Sequence, residues 1–246
     1  MAALIFDAED KRFYETGIDH GVLFLKKESS SGDSDYEAGV AWNGLTSVNE
    51  TPSGAEDNEI WADNIKYLTL TSAEDFGLTI ECVTYPDEWY ACDGSFYDKV
   101  NGVILSQQAR RRFGLAYRTK KGNANNPDLG YILHLVYNCS ASTSDRSYST
   151  VNDSPEAITF SYECKTIMTA MPTLQVDGNP KVLKPAAIIR VDSTINKAGY
   201  DALCDIIYGR NAVEASTGVE GVTELTSRLP KPSEVFTTLG CTVIAA

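Results

Sequence analysis

Histidine is scarce in this chain, with two among 246 residues, and positive charge is short: 21 Lys and Arg stand against 34 Asp and Glu, a formal net charge of −13. That shortage argues against a chain that wraps nucleic acid, which depends on neutralising phosphates with Lys and Arg. Long apolar runs are missing as well. The longest, such as Tyr131–Tyr137, are strand-length, far below the ~18 residues of a membrane-crossing helix. The first nine residues hold no basic stretch followed by an apolar core, so no secretory signal is expected.

Catalytic motifs are absent in the same way. No Gly-rich phosphate loop, G-x-S-x-G elbow or H-E-x-x-H occurs. His20 and His134 fall in different strand regions, and His134 lies within an apolar strand, where a sheet residue is expected rather than a base. Asp33, Asp35 and Glu37 alternate like the opening of a calcium loop, but Ala38 stands where Gly is needed and Gly44 where a bidentate Glu is needed. The six cysteines (Cys82, Cys92, Cys139, Cys164, Cys204 and Cys241) form no C-x-x-C pair and no ligand spacing with histidine. Cys82, Cys164 and Cys204 fall where apolar residues belong and read as small buried hydrophobes. No metal, cofactor or catalytic residue is expected. A carboxylate pair for glycoside cleavage is the one catalytic arrangement that the many acidic residues leave open. Sequons at Asn49, Asn138 and Asn152 carry meaning only in a secreted chain.

What is present is period two. Phe76, Leu78, Ile80 and Cys82 share one face of the run Phe76–Tyr85, with Thr79 and Glu81 on the other. Phe113–Thr119, Tyr131–Tyr137 and Ile158–Cys164 alternate likewise, the pattern of half-buried strands. Further strands are expected at Gly21–Lys27, Gly39–Asn43, Ile65–Thr71 and Ala186–Asp192. Tyr131–Tyr137 is apolar on both faces except at His134, so it is either central or covered from outside the domain. One helix is expected after the N-cap candidate Asn196, with Tyr200, Leu203, Cys204 and Ile207 on one stripe and Gly209 past its end.

Ser29–Asp35, Asn49–Asn58 and Gly209–Pro232 read as loops, and the basic clusters Lys26-Lys27, Arg110-Arg111-Arg112 and Lys120-Lys121 as solvated strand ends and turns. The fold class is therefore mainly β: one domain over 1–246, a sandwich or open barrel with one flanking helix and long loops. To this belong an N-terminal arm over about 1–15, a loop over about 47–58 and a C-terminal extension over about 212–246.

Several segments, in their order and spacing, resemble a known family. They are Trp61-Ala62-Asp63-Asn64-Ile65-Lys66-Tyr67-Leu68, Phe76-Gly77-Leu78-Thr79-Ile80-Glu81, and Thr84-Tyr85-Pro86-Asp87-Glu88 with Cys92-Asp93-Gly94. Phe113-Gly114 through Tyr117-Arg118-Thr119 with Gly122-Asn123, then Tyr148-Ser149-Thr150 and Asn152-Asp153-Ser154-Pro155-Glu156, complete the set. Together they resemble the major tail protein of long-tailed bacteriophages, especially those of Gram-positive hosts, from about Gly39 to about Gly209. The start of the chain and Ala212–Ala246 lie outside that likeness.

The resemblance implies a structural virion protein with a helix-flanked β-sandwich. It implies rings, usually hexameric, stacked around a tape-measure protein into a tail tube. Tail tip or baseplate proteins and tail terminator proteins would meet its ends, and the genome would pass through its lumen without specific binding. Assembly would take place in the bacterial cytoplasm. On this view the strands Phe76–Tyr85 and Phe113–Thr119 form a hairpin on the inner wall, with Thr79, Glu81, Gly114, Ala116 and Arg118 facing the lumen. The loop 47–58 and the arm 1–15 are the candidates for contacts between rings. The competing reading is a non-catalytic carbohydrate-binding β-sandwich that uses Trp42, Trp61 and Trp89 as surface platforms.

Overall fold

The computed structural model describes residues 6, 9–28, 35–148, 150, 157–212 and 222–244. The chain runs through β1 (Phe13–Leu25), β2 (Val40–Trp42), β3 (Leu45–Gly54), β4 (Asp57–Ala62), β5 (Ile65–Thr71) and β6 (Glu74–Cys82) to a short helix, α1 (Trp89–Asp93). Then come β7 (Phe96–Asp98), β8 (Val103–Leu105), β9 (Phe113–Asn123), β10 (Gly130–Ala141), β11 (Phe160–Thr166), β12 (Thr173–Val176), β13 (Asn179–Val182) and β14 (Ile188–Asp192). The chain ends through α2 (Lys197–Tyr208), α3 (Pro232–Thr238) and β15 (Val243–Ile244).

The main sheet is antiparallel in the order β2-β1-β9-β10-β11-β6-β3, with β14 as a further partner of β10. Over Ile132–Val136, β10 lies between β9 and β14; at Cys139–Ala141 it pairs with β11. Asn138 between them has φ of 53°, and the register with β9 shifts there. This irregularity turns the sheet, because an unpaired residue bends its strand. The two halves fold over each other and cross. β3 passes Gly21 of β1 at Leu45 and reaches His134 of β10 and Arg190 of β14 at Glu50.

Two cores result. The first lies between the halves: Leu23, Phe113 and Leu115 meet Leu78, Ile80 and Tyr162, and α1 closes one end with Trp89 and Cys92. Trp89 is fully buried, its ring 4.6 Å from Trp42 and 4.9 Å from Tyr162. The second core lies on the outer face of β1, β9, β10 and β14, where Phe24, Leu133 and Leu135 pack on Leu203 and Ile207 of α2 and Val235 of α3. The α2 stripe is the one the spacing predicts. Asn196 caps it, its side chain accepting from Gly199 N–H at 3.0 Å. A helix of 12 residues is marginal alone. Burying Leu203 and Ile207, at roughly 1.5–3 kcal/mol per side chain, holds it.

Several expectations change here. Tyr131–Tyr137 is apolar on both faces because it is central, and α2 covers its outer face; cover from another molecule is not what its pattern signals. Phe76–Tyr85 and Phe113–Thr119 do not form a hairpin: β6 pairs with β11 and β3, and β9 with β1 and β10. Asn49–Asn58 is strand except at Ala55 and Glu56, and Pro52 is tolerated because β3 has β6 as its one ladder partner. Ala212–Ala246, where described, belongs to the fold: Leu229 and Val235 are buried in the second core, and β15 pairs with β12. The N-terminal arm enters β1 at Phe13. Asp33 and Asn152 fall outside the described residues. All six cysteines are free thiols, and Cys82 and Cys164 are buried as expected, joined by Cys92 and Cys139. Cys204 is half-buried and Cys241 exposed.

Candidate assembly interface

Thr79, Glu81, Gly114, Ala116 and Arg118 separate into two sets. Gly114 and Ala116 are buried inside the subunit, so they face no lumen. Their small size serves packing instead: a β-carbon at Gly114 would overlap the Leu229 side chain. Arg118 on the same face of β9 is half-buried, ion-paired with Asp19 and held 4.1 Å over the Tyr131 ring. Thr79 and Glu81 do face outward. They belong to a polar surface on the β3-β6-β11 half: Thr79 lies between Asn49 and Glu163, and Glu81 between Ser47 and Ser161. The Ser47 hydroxyl donates to Glu81 at 2.8 Å.

Sequence reading expected the strand Ile65–Thr71 but missed that it belongs to one of two projecting hairpins. The ladder between β3 and β6 continues past Gly54 and Glu74 into β4 and β5, with Asp57 opposite Thr71 and Ala62 opposite Ile65. Asp63 and Asn64, at φ of 53° and 63°, make the turn, as tight hairpins require. From Gly54 to Ala62 this arm extends about 25 Å at the usual rise of a strand. Register puts Ile60, Leu68, Leu70 and Ile65 on one face. The other holds Asp57 with Thr71 and Glu59 with Lys66, the latter ion pair at 2.5 Å. Trp61 and Tyr67 are each 64% exposed and Leu70 55%; the arm packs against neither core.

The second hairpin, β7 with β8, exposes Phe96, Val103, Ile104 and Leu105, with Val100 at its tip 91% exposed. It is anchored through a ring series: Tyr97 on Tyr90 at 4.9 Å, Tyr90 on Tyr85 at 5.4 Å, and Tyr85 on Phe160 at 5.1 Å. Phe160 sits opposite Cys82, at the end of β6 away from the arm. A signal for both hairpins existed in the sequence. Ile60-Trp61, Tyr67-Leu68 and Val103-Ile104-Leu105 are apolar stretches bounded by Asp-Asn and Asn-Gly turns.

Between the sheet halves sits one polar cluster. Tyr117 donates to Glu50 at 3.1 Å, Arg190 pairs with Glu50, and the His134 ring stacks on Tyr117 at 4.6 Å. The Thr119 hydroxyl donates to Glu15 at 3.1 Å and lies 3.1 Å from His134 Nε2. That arrangement sets Nε2 as the protonated nitrogen and leaves Nδ1 as a lone pair 3.6 Å from Glu50. Burial holds the His134 ring below its ordinary pKa, Arg190 adding to the effect and Glu50 opposing it. The cluster ties β3 to β9, β10 and β14. Among the described residues no three His, Cys, Asp or Glu side chains form a metal-holding group, and no helix is long and apolar enough to cross a membrane. Trp42 and Trp89 are buried, leaving Trp61 as the exposed tryptophan.

Compared with known protein families and with curated proteins, the chain matches none.

Proposed function

We propose that this chain is the subunit of a bacteriophage tail tube. Copies join into rings, six to a ring in the family it resembles, and the rings stack around a tape-measure protein between the tail tip or baseplate and the terminator. The tube is part of the virion, built in the bacterial cytoplasm, and the genome leaves through its lumen. The observation that carries this reading is the β4–β5 arm. A two-stranded ribbon is marginal by itself, and an apolar ribbon with two unpaired edges invites association. A chain that keeps one exposed across six large apolar side chains is built to cover it with another molecule. The outward polar face of β6, with Thr79 and Glu81, is the candidate lumen wall. A negative wall there repels phosphate and lets DNA pass.

The carbohydrate-binding reading asks for a platform of surface aromatics, and Trp61 is the tryptophan left to serve it. Negative-stain electron microscopy of the concentrated chain, incubated for days, separates the two readings. Hollow tubes with an axial repeat support the tail tube. Monomers that bind glycan beads and never assemble support the module.

A further inference from the structure

We propose that the apolar face of the β4–β5 arm docks on the β7–β8 hairpin of a second copy, so that successive layers join head to tail through this one pair of surfaces. The inference rests on the assembly reading above and names the surface that receives the arm.

Three observations converge on it. The first is placement. The β3–β6 ladder runs from Leu45 opposite Cys82 to Gly54 opposite Glu74. The arm leaves at the Glu74 end, and the ring series through Tyr85 fixes β7–β8 beside Phe160, at the Cys82 end. A surface at each end of one sheet gives a heterologous contact, which grows as an open stack rather than closing on a dimer axis.

The second is that each surface lacks cover in its own chain. Ile60, Leu68 and Leu70 on the arm and Phe96, Val103 and Leu105 on one face of the hairpin are all exposed, and both are two-stranded ribbons with open edges, the shape that β-augmentation uses. An arm meeting another arm would cover one pair of faces and leave β7–β8 bare.

The third is charge. The arm from Ala55 to Ala73 holds Glu56, Asp57, Glu59 and Asp63 against Lys66 alone. Lys66 is taken by Glu59, whereas Glu56 and Asp63 make no ion pair with a described residue. From Phe96 to Arg112 one acidic residue, Asp98, stands against four basic ones. Lys99 is held by Asp87 and Glu88, and Arg111 by Glu37. Arg110 is exposed, its Nε donating to the Asp93 carbonyl at 3.0 Å, and its charge is unpaired among the described residues. Two arms would bring like charges together; arm on hairpin sets carboxylates against Arg110. Opposed patches of this kind fix orientation and partner choice more than they add affinity.

The test uses the full chain and two variants, Leu68→Asp in the arm and Leu105→Asp in the hairpin, both at exposed positions. Assembly is followed by sedimentation velocity and electron microscopy. Each variant alone should raise the concentration needed for growth along the axis about tenfold or more, since a buried unpaired charge opposes the contact. The decisive sample mixes the two variants after each has been brought to its own limiting species. The intact arm of one copy then meets the intact hairpin of the other once, and growth stops. The mixture should show a species of twice the mass of either, which requires that both variants are folded.

Leu105→Asp growing tubes like the unaltered chain would overturn the docking site and leave the tail-tube reading standing. A mixture that never pairs would do the same. An unaltered chain that stays monomeric at every concentration would remove the tail-tube reading, and the docking proposal with it.

Discussion

Gly114 and Thr79 look alike in sequence, as small residues alternating with apolar ones, but the structure assigns them opposite environments. Gly114→Val drives methyl groups into Leu229, with the Tyr36 ring and the Val136 carbonyl each 3.2 Å from the new β-carbon. The expected loss of about 1–3 kcal/mol is that of an overpacked core. Thr79→Val on the outward face should stay within about 0.5 kcal/mol. Urea denaturation of the two variants checks the pair, and equal losses would mean that the faces are misassigned. His134 offers a second residue-level test. Its ring is held below the ordinary value of 6.5 by burial, so the unfolded chain takes up this proton first as pH falls. Its contribution to stability is complete above about pH 6.5 and is lost as pH drops from there toward the folded value. His134→Gln should therefore flatten the stability profile below about pH 6.5, read from denaturant midpoints. An unchanged slope would place the titration elsewhere.

At the scale of elements, α2 was legible in full. Its stripe lies within the helix and its Asn196 cap and terminal Gly209 flank it directly, and Asn196→Ala should cost about 1 kcal/mol, seen in the thermal midpoint. The strands were legible where period two met a core on one face. Where both faces were wet, Ile65–Thr71 was still legible from its alternation, but its partner β4 and the outer part of β3 were not. Asn49–Asn58 reads as a loop because Pro52, Gly54 and the acidic residues mark loops in ordinary domains, and nothing local says that β6 and β5 will pair with them. Strand neighbours were beyond reach for the same reason. The register of β6 against β11 spans some eighty residues, and the turn of the sheet at Asn138 depends on a left-handed backbone that composition does not announce.

The arm gives this scale its sharpest expectation. Replacing Glu56–Ser72 by an Asn-Gly turn should leave the thermal midpoint of the subunit in place, because those residues touch neither core, while abolishing growth along the axis. A large drop in midpoint would make the arm part of the folding unit.

The whole molecule combines a net charge of −13 with apolar hairpins at two ends of one sheet. Charge opposes bringing copies together, and apolar burial drives it. Interfaces of obligate assemblies reach the order of 2,000 Å², whereas exposed charges are screened beyond roughly 8 Å at physiological salt. Raising salt toward ~1 M should therefore lower the concentration at which assembly begins; light scattering measures it, and dissolution by salt would mean that ion pairs hold the copies together. Charge reversal at Glu81 should change genome delivery while tubes still form, if that face lines the lumen; loss of tubes would put Glu81 at a contact between subunits.

On the proposed function, the chain is one subunit of an assembly that grows by covering its exposed hairpins. Sedimentation velocity of the unaltered chain across rising concentration tests it most directly. A monomer at high dilution should give way to a ring and then to fast, heterogeneous boundaries of stacked rings, with the arm-deleted chain stopping before the stack. A single monomer boundary at every concentration and salt level, identical for both chains, would contradict it.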